Sequence, residues 1–179
     1  MKKVFFLALL TAFSLASFSQ FIEEDARVGI YEKLDTIIPS DIVFYTEQGE
    51  PVTLLSLIDK PTVLVPVYYT CPGICSPLLD GVADVITKMD LVLGEDYQVI
   101  TISFNPEETP DLAVDKKVNY VKQVKKEIDE SAWMWLTGDS ANIYAFTNAI
   151  GYHFIKQGVD YIHAAAIVAV SPEGKVTRY

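Results

Sequence analysis

The stretch PTVLVPVYYTCPGICSP, Pro61–Pro77, decides how the rest of the chain is read. Its first nine residues are apolar and rich in β-branched side chains, the pattern of a strand buried on both faces. A loop follows that holds both cysteines of the protein, Cys71 and Cys75. Ser76 and Pro77 then read as an N-cap and a first helical residue. Beyond them Leu78, Leu79, Val82, Val85, Ile86 and Met89 recur on one face of a helix ending near Asp90. A strand that passes into a helix through such a loop is a unit of an α/β sheet, and ligands collect at the carboxyl ends of those strands.

Outward from this unit the pattern continues. DIVFYTEQGEPVTLLSL, from Asp41, predicts an N-terminal β-hairpin turning at Gln48–Pro51. YQVITISF, Tyr97–Phe104, predicts a second buried strand. A turn at NPEETPD leads to a helix from about Pro110, with Val114, Val118, Val121 and Ile128 facing inward and its lysines solvated. WMWL, Trp133–Leu136, is short and apolar, and SANIYAFTNAIG predicts a helix capped by Ser140 with Gly151 beyond its end. YHFIKQ reads as a short strand. HAAAIVAVSPEGKVTRY reads as a strand, a turn at Pro172–Gly174 and a returning strand. The sum is an α/β fold: a central, partly parallel mixed sheet flanked by helices, with the hairpin at its N-terminal side. The sequence stops within the returning strand, so a further C-terminal piece, such as one helix, is expected.

The 179 residues suit one domain, and with half of them apolar a core is readily built. Asp+Glu total 24 against 14 Lys+Arg, an acidic balance that argues against nucleic acid as a partner. Lys2 and Lys3 precede an apolar run, Val4–Phe18, too short for a comfortable membrane span, and Ser17 and Ser19 stand where a signal peptidase reads small residues. Residues 1–19 are therefore expected to be a signal peptide, residues 20–40 an extended lead-in and residues 41–179 the folded domain. The domain is expected to be periplasmic or otherwise exported, with membrane association only if the N-terminal segment stays uncleaved.

Export leaves three uses for two cysteines: a structural staple, a redox pair or a metal clamp. So short a loop gives a staple little chain-entropy stabilisation. C-x-x-x-C is one residue wider than the usual dithiol redox motif, and a helix start favours the thiolate. Thiolates are soft ligands that select Cu(I) or zinc. Two of them leave a metal under-coordinated, so a third ligand is expected from elsewhere, with His153 and His163 as the histidine candidates. His163, at the head of an apolar run, is preferred because it can project into a loop-lined site. Asp160 is its candidate hydrogen-bond partner. On the redox alternative Cys71, farther from the helix, is the attacking thiol and Cys75 resolves the mixed disulfide.

TCPGICSP, VITISFNPEETPD, WLTGD and HAAAIVAVSPEGKVTRY together resemble the Sco/SenC family in order and spacing, from about Asp41 to Tyr179. The resemblance implies a thioredoxin-like fold and an exported domain. It implies copper, Cu(I) or Cu(II), held by Cys71, Cys75 and His163. It also implies a role as a copper chaperone that assists metallation of the copper centre of cytochrome c oxidase. The partners would be the copper-receiving oxidase subunit, or another copper protein, and a thiol reductant. A thiol-disulfide oxidoreductase acting on the target's cysteines, or a copper or redox sensor, would use the same residues. Three positions depart from the family pattern: Gly73 where an Asp is frequent, Ser76 intervening before Pro77, and Asn105 in place of an Asp. No ligand is lost, but two carboxylates near the site are.

Overall fold

The computed structural model describes residues 28–179. The expected signal peptide, residues 1–19, and residues 20–27 of the expected lead-in lie outside the described residues.

The run that opens the motif forms β4, Thr62–Val67, and passes through the cysteine loop into α1, Cys75–Lys88. The hydrophobic run at Tyr97 forms β5, Gln98–Ser103, every residue of which is buried. Helix α2, Pro110–Val121, leads to β6, Trp133–Leu136, and helix α3, Ser140–Ala149, follows. Upstream lie β1, Gly29–Ile30, and the hairpin β2, Val43–Tyr45, and β3, Pro51–Thr53; downstream are β7, Tyr152–His153, β8, Ile155–Gln157, β9, Asp160–Ile162, β10, Val168–Val170, and β11, Val176–Arg178. The central sheet runs β11-β10-β4-β5-β6. β4, β5 and β6 are parallel, and β10 and β11 join antiparallel. A mixed sheet with flanking helices and an N-terminal hairpin is the expected architecture.

Burial of both faces explains why β4 and β5 lack alternation. Leu64, Val65, Val67, Val99, Ile100 and Ile102 are all buried. Pro66, which cannot donate a ladder hydrogen bond, falls where β10 has already ended, since β10 pairs only with Thr62–Leu64. The carboxyl end of β4 is therefore free of a strand on that side. Gly151, just past α3, has φ +61°, and a Cβ there would stand 1.9 Å from the carbonyl oxygen of Tyr31. That close approach lets the Tyr31 N–H donate to Gly151 O at 2.8 Å and seats β1 against β7.

Several local expectations give way. α1 starts at Cys75, with Ile74 as its cap, so Ser76 is not the cap and Pro77 lies in the first turn, where its missing N–H has no intrahelical partner to lose. The helix ends at Lys88, and Val85 on the predicted inner face is exposed. α2 is turned relative to the valine stripe: Ala113 and Tyr120 are buried while Val114 and Val118 are exposed, because Tyr120 stacks on Trp135 at 5.7 Å. Ile128 lies beyond the end of that helix. The cap of α3 is Asp139, not Ser140, its carboxylate accepting from Asn142 N–H at 2.9 Å. YHFIKQ splits into β7 and β8 at Phe154.

Candidate metal centre

The loop that carries the cysteines is fixed at its root by Tyr69, whose ring is buried and whose hydroxyl donates to Leu136 O on β6 at 2.7 Å. Two residues later Cys71 is half-buried, and Cys75, the first residue of α1, is buried. Both are free thiols. Gly73 N–H points at Cys71 Sγ at 3.4 Å. Burial pushes the Cys71 thiol up, but N–H groups of Cys75 and Gly73 and the side chains of His163 and Cys75 outweigh it and bring it down to about 7. Burial pushes the Cys75 thiol well up from its ordinary range. The pair therefore divides into an accessible, readily ionised sulfur and a buried one held as thiol until a metal or a partner sulfur takes the proton's place.

His163 comes to these sulfurs from the far side of the sheet sequence. Its Nε2 stands 3.8 Å from Cys71 Sγ and 3.8 Å from Cys75 Sγ. It does not head a strand as expected: β10 begins only at Val168, and the alanines between make no ladder. The ring is held between Phe104 and Tyr68, with centroids 5.1 and 5.6 Å away. Its Nδ1 is 2.8 Å from the Ala164 carbonyl oxygen and 3.1 Å from the Tyr152 hydroxyl, which itself donates to Ala164 O at 2.7 Å. A carbonyl only accepts, so Nδ1 carries a hydrogen and Nε2 is the ring nitrogen that faces both sulfurs.

Cys71, Cys75 and His163 thus offer three ligand atoms within 4.8 Å of one another, and they are the one such group of metal-binding side chains among the described residues. Sulfur and nitrogen bound at roughly 2.3 and 2.0 Å, spread 120° apart, would be separated by roughly 3.7 Å. The two nitrogen–sulfur separations are close to that spacing. His153, the other histidine, pairs with Gly29 and packs edge-on against Tyr31 instead. Asp160 is placed near the Tyr68 hydroxyl, 3.4 Å away, and the partners of His163 Nδ1 are Tyr152 and Ala164. Tyr152 was not legible as a site residue. Only its place next to Gly151, where chain direction changes, hinted that it turns inward.

Residues 33–179 match the SCO1/SenC family. The chain belongs to that family. Among solved structures of similar fold, a candidate electron transfer protein from Aquifex aeolicus VF5 is 29% identical over 82% of this chain and 83% of its own, with a TM-score of 0.73. Arabidopsis thaliana ScoI, with copper bound, is 24% identical over 79% of this chain and 85% of its own, with a TM-score of 0.62. BsSco, a Sco-family cytochrome c oxidase assembly protein in which a disulfide switch was identified, is 22% identical over 82% and 84%, with a TM-score of 0.63. At those identities the last two establish the shared thioredoxin-like fold of Sco proteins. No curated protein matches the chain by sequence.

Proposed function

We propose that this SCO1/SenC protein is an exported copper chaperone: it holds copper through Cys71, Cys75 and His163 and delivers it to the copper centre of cytochrome c oxidase. The observation that carries the reading is the convergence of His163 Nε2 on both sulfurs at 3.8 Å. Two thiolates and an imidazole are a soft set suited to Cu(I), and three donors leave an open side through which a partner's ligands can enter one at a time. The copper-bound Arabidopsis relative is in keeping with this cargo. Export is supported by the N-terminal sequence and by a Bacillus anthracis relative described as a SCO1/SenC family lipoprotein. Among the described residues no helix is long and apolar enough to cross a membrane. The receiving partner is the copper-binding oxidase subunit, met after a thiol reductant has opened any Cys71–Cys75 disulfide.

The test is an anaerobic Cu(I) titration of the reduced protein against a competing chelator, beside His163→Ala. One-to-one binding that weakens at least tenfold on substitution supports the site. Binding indifferent to His163 contradicts it as the third ligand, and no binding overturns the copper reading.

A second reading is favoured by the asymmetry of the cysteines. As a thiol-disulfide oxidoreductase, Cys71 thiolate would attack a target disulfide, releasing one target thiolate and forming a mixed disulfide. Cys75 would then attack Cys71 Sγ, expelling the second target thiolate. Two electrons pass to the target and the protein ends as a Cys71–Cys75 disulfide. His163 is not needed as a ligand for this, so His163→Ala separates the two readings.

A further inference from the structure

The connector between β5 and α2 carries none of the three ligands, yet it holds both segments that do. Glu108 is 8% exposed, and no ion pair among the described residues neutralises it. Its carboxylate instead accepts four hydrogen bonds, from the N–H groups of Tyr69 and Thr70 and the Thr70 hydroxyl, each at 2.7 Å, and from the Ser103 hydroxyl at 2.6 Å. Four donors match the capacity of a buried carboxylate. Three of them come from the two residues just before Cys71. Asn105, also buried, accepts through Oδ1 from the Tyr161 hydroxyl at 2.9 Å and from Glu107 N–H at 3.1 Å. Tyr161 lies on β9, two residues before His163. Ser103 links the two arms, donating to Glu108 and accepting from Asn105 N–H at 3.1 Å.

We propose that Glu108 and Asn105 are positioning residues that hold the cysteine loop and the His163 hairpin at one fixed separation. The effect on metal rests on the copper reading of the site, whereas the hold itself does not. The residue types fit the task. Glu108 faces only donors, and a glutamine there would turn an amide N–H₂ against N–H groups. Asn105 supplies the acceptor that Tyr161 needs without placing a second negative charge beside an unneutralised carboxylate, which an aspartate at this position would do.

Two measurements on the reduced full chain test the proposal: amide hydrogen exchange without copper, and Cu(I) affinity by chelator competition. Glu108→Gln should speed exchange at Tyr69 and Thr70 at least tenfold, leave Ile100 and Ile102 on β5 as in the wild type, and weaken Cu(I) binding at least tenfold. Tyr161→Phe should leave Tyr69 and Thr70 exchange unchanged but weaken Cu(I), and adding His163→Ala to it should cost little more. In the Glu108→Gln background His163→Ala should still cost its full amount. General destabilisation would not produce that selective non-additivity. Should Glu108→Gln fail to fold, Thr70→Val removes one donor only and should speed the Thr70 amide in the same direction. Wild-type exchange at Tyr69 and Thr70 in Glu108→Gln, an unchanged Thr70 amide in Thr70→Val, or full additivity of Tyr161→Phe with His163→Ala overturns the proposal. Selective exchange in Glu108→Gln together with a wild type that binds no Cu(I) supports the hold and overturns the copper reading instead.

Discussion

The Tyr152 hydroxyl lies 3.1 Å from His163 Nδ1, and both groups converge on the Ala164 carbonyl oxygen. One carbonyl thus fixes the imidazole's orientation through Nδ1, while a buried phenol fixes the carbonyl. Outer groups of this kind keep a ligand aimed before metal arrives.

Tyr152→Phe removes only the hydroxyl and leaves the ring in the core. Cu(I) affinity should fall about tenfold, as when an outer hydrogen-bond partner is lost. The fold should lose only about 1 kcal/mol. Chelator competition and a denaturant titration on the same variant check both numbers. A stability loss with unchanged affinity would mean that Tyr152 is a core residue and nothing more.

Cys71 and Cys75 should label differently with pH. With its thiol brought down to about 7, Cys71 should be alkylated by iodoacetamide at a rate that falls as pH drops through about 7. Cys75, whose thiol burial pushes up, should stay unlabelled in the folded protein across neutral pH. The sign carries over to stability. A thiol whose folded value lies below its ordinary 9.0 contributes stabilisation above that value and loses it as pH falls through about 7. Peptide mapping after brief labelling gives the site, and the rate profile gives the midpoint.

Lys117 on α2 pairs with Glu47 in the turn of the N-terminal hairpin, and both side chains are largely buried. Lys117→Met alone should destabilise by about 3 kcal/mol, because it leaves a buried carboxylate without its cation. Glu47→Met combined with Lys117→Met should cost less than the single substitution, since no unpaired charge remains. Chemical denaturation of the two variants decides it.

Gly151→Ala should cost at least about 2 kcal/mol, combining a left-handed backbone with a Cβ driven into the Tyr31 carbonyl. For a chain of this size that corresponds to a melting temperature lower by roughly 4–8 °C. A thermal scan within 1 °C of wild type would show that β1 moves aside at little cost.

The site was legible where its signal is local. A β-branched run, two cysteines and a helix start stand together in Pro61–Pro77, and burial of β4 on both faces makes that run unmistakable. The family and the three candidate ligands followed from motifs in order. What escaped the sequence depends on distant contacts. Tyr120 faces inward because Trp135 is there to stack on, so the more apolar valines of α2 were the wrong guide. Asp139 and Ser140 are both good caps, and only the carboxylate's reach to Asn142 N–H separates them. Glu108 sits in a run of seven consecutive polar or turn-forming residues, Asn105–Asp111, and reads as surface, yet three of its four donors lie 38 and 39 residues upstream. Tyr152 serves His163 across 11 residues through a carbonyl that carries no side-chain signal.

On the copper reading, two sulfurs and one imidazole bind the metal together. X-ray absorption on the reduced protein loaded with one equivalent of Cu(I) tests it most directly. The expected spectrum has a three-coordinate edge, with two sulfur scatterers and one nitrogen scatterer showing the outer-shell pattern of imidazole, and that nitrogen is lost in His163→Ala. A two-coordinate, sulfur-only spectrum identical in both proteins would contradict it.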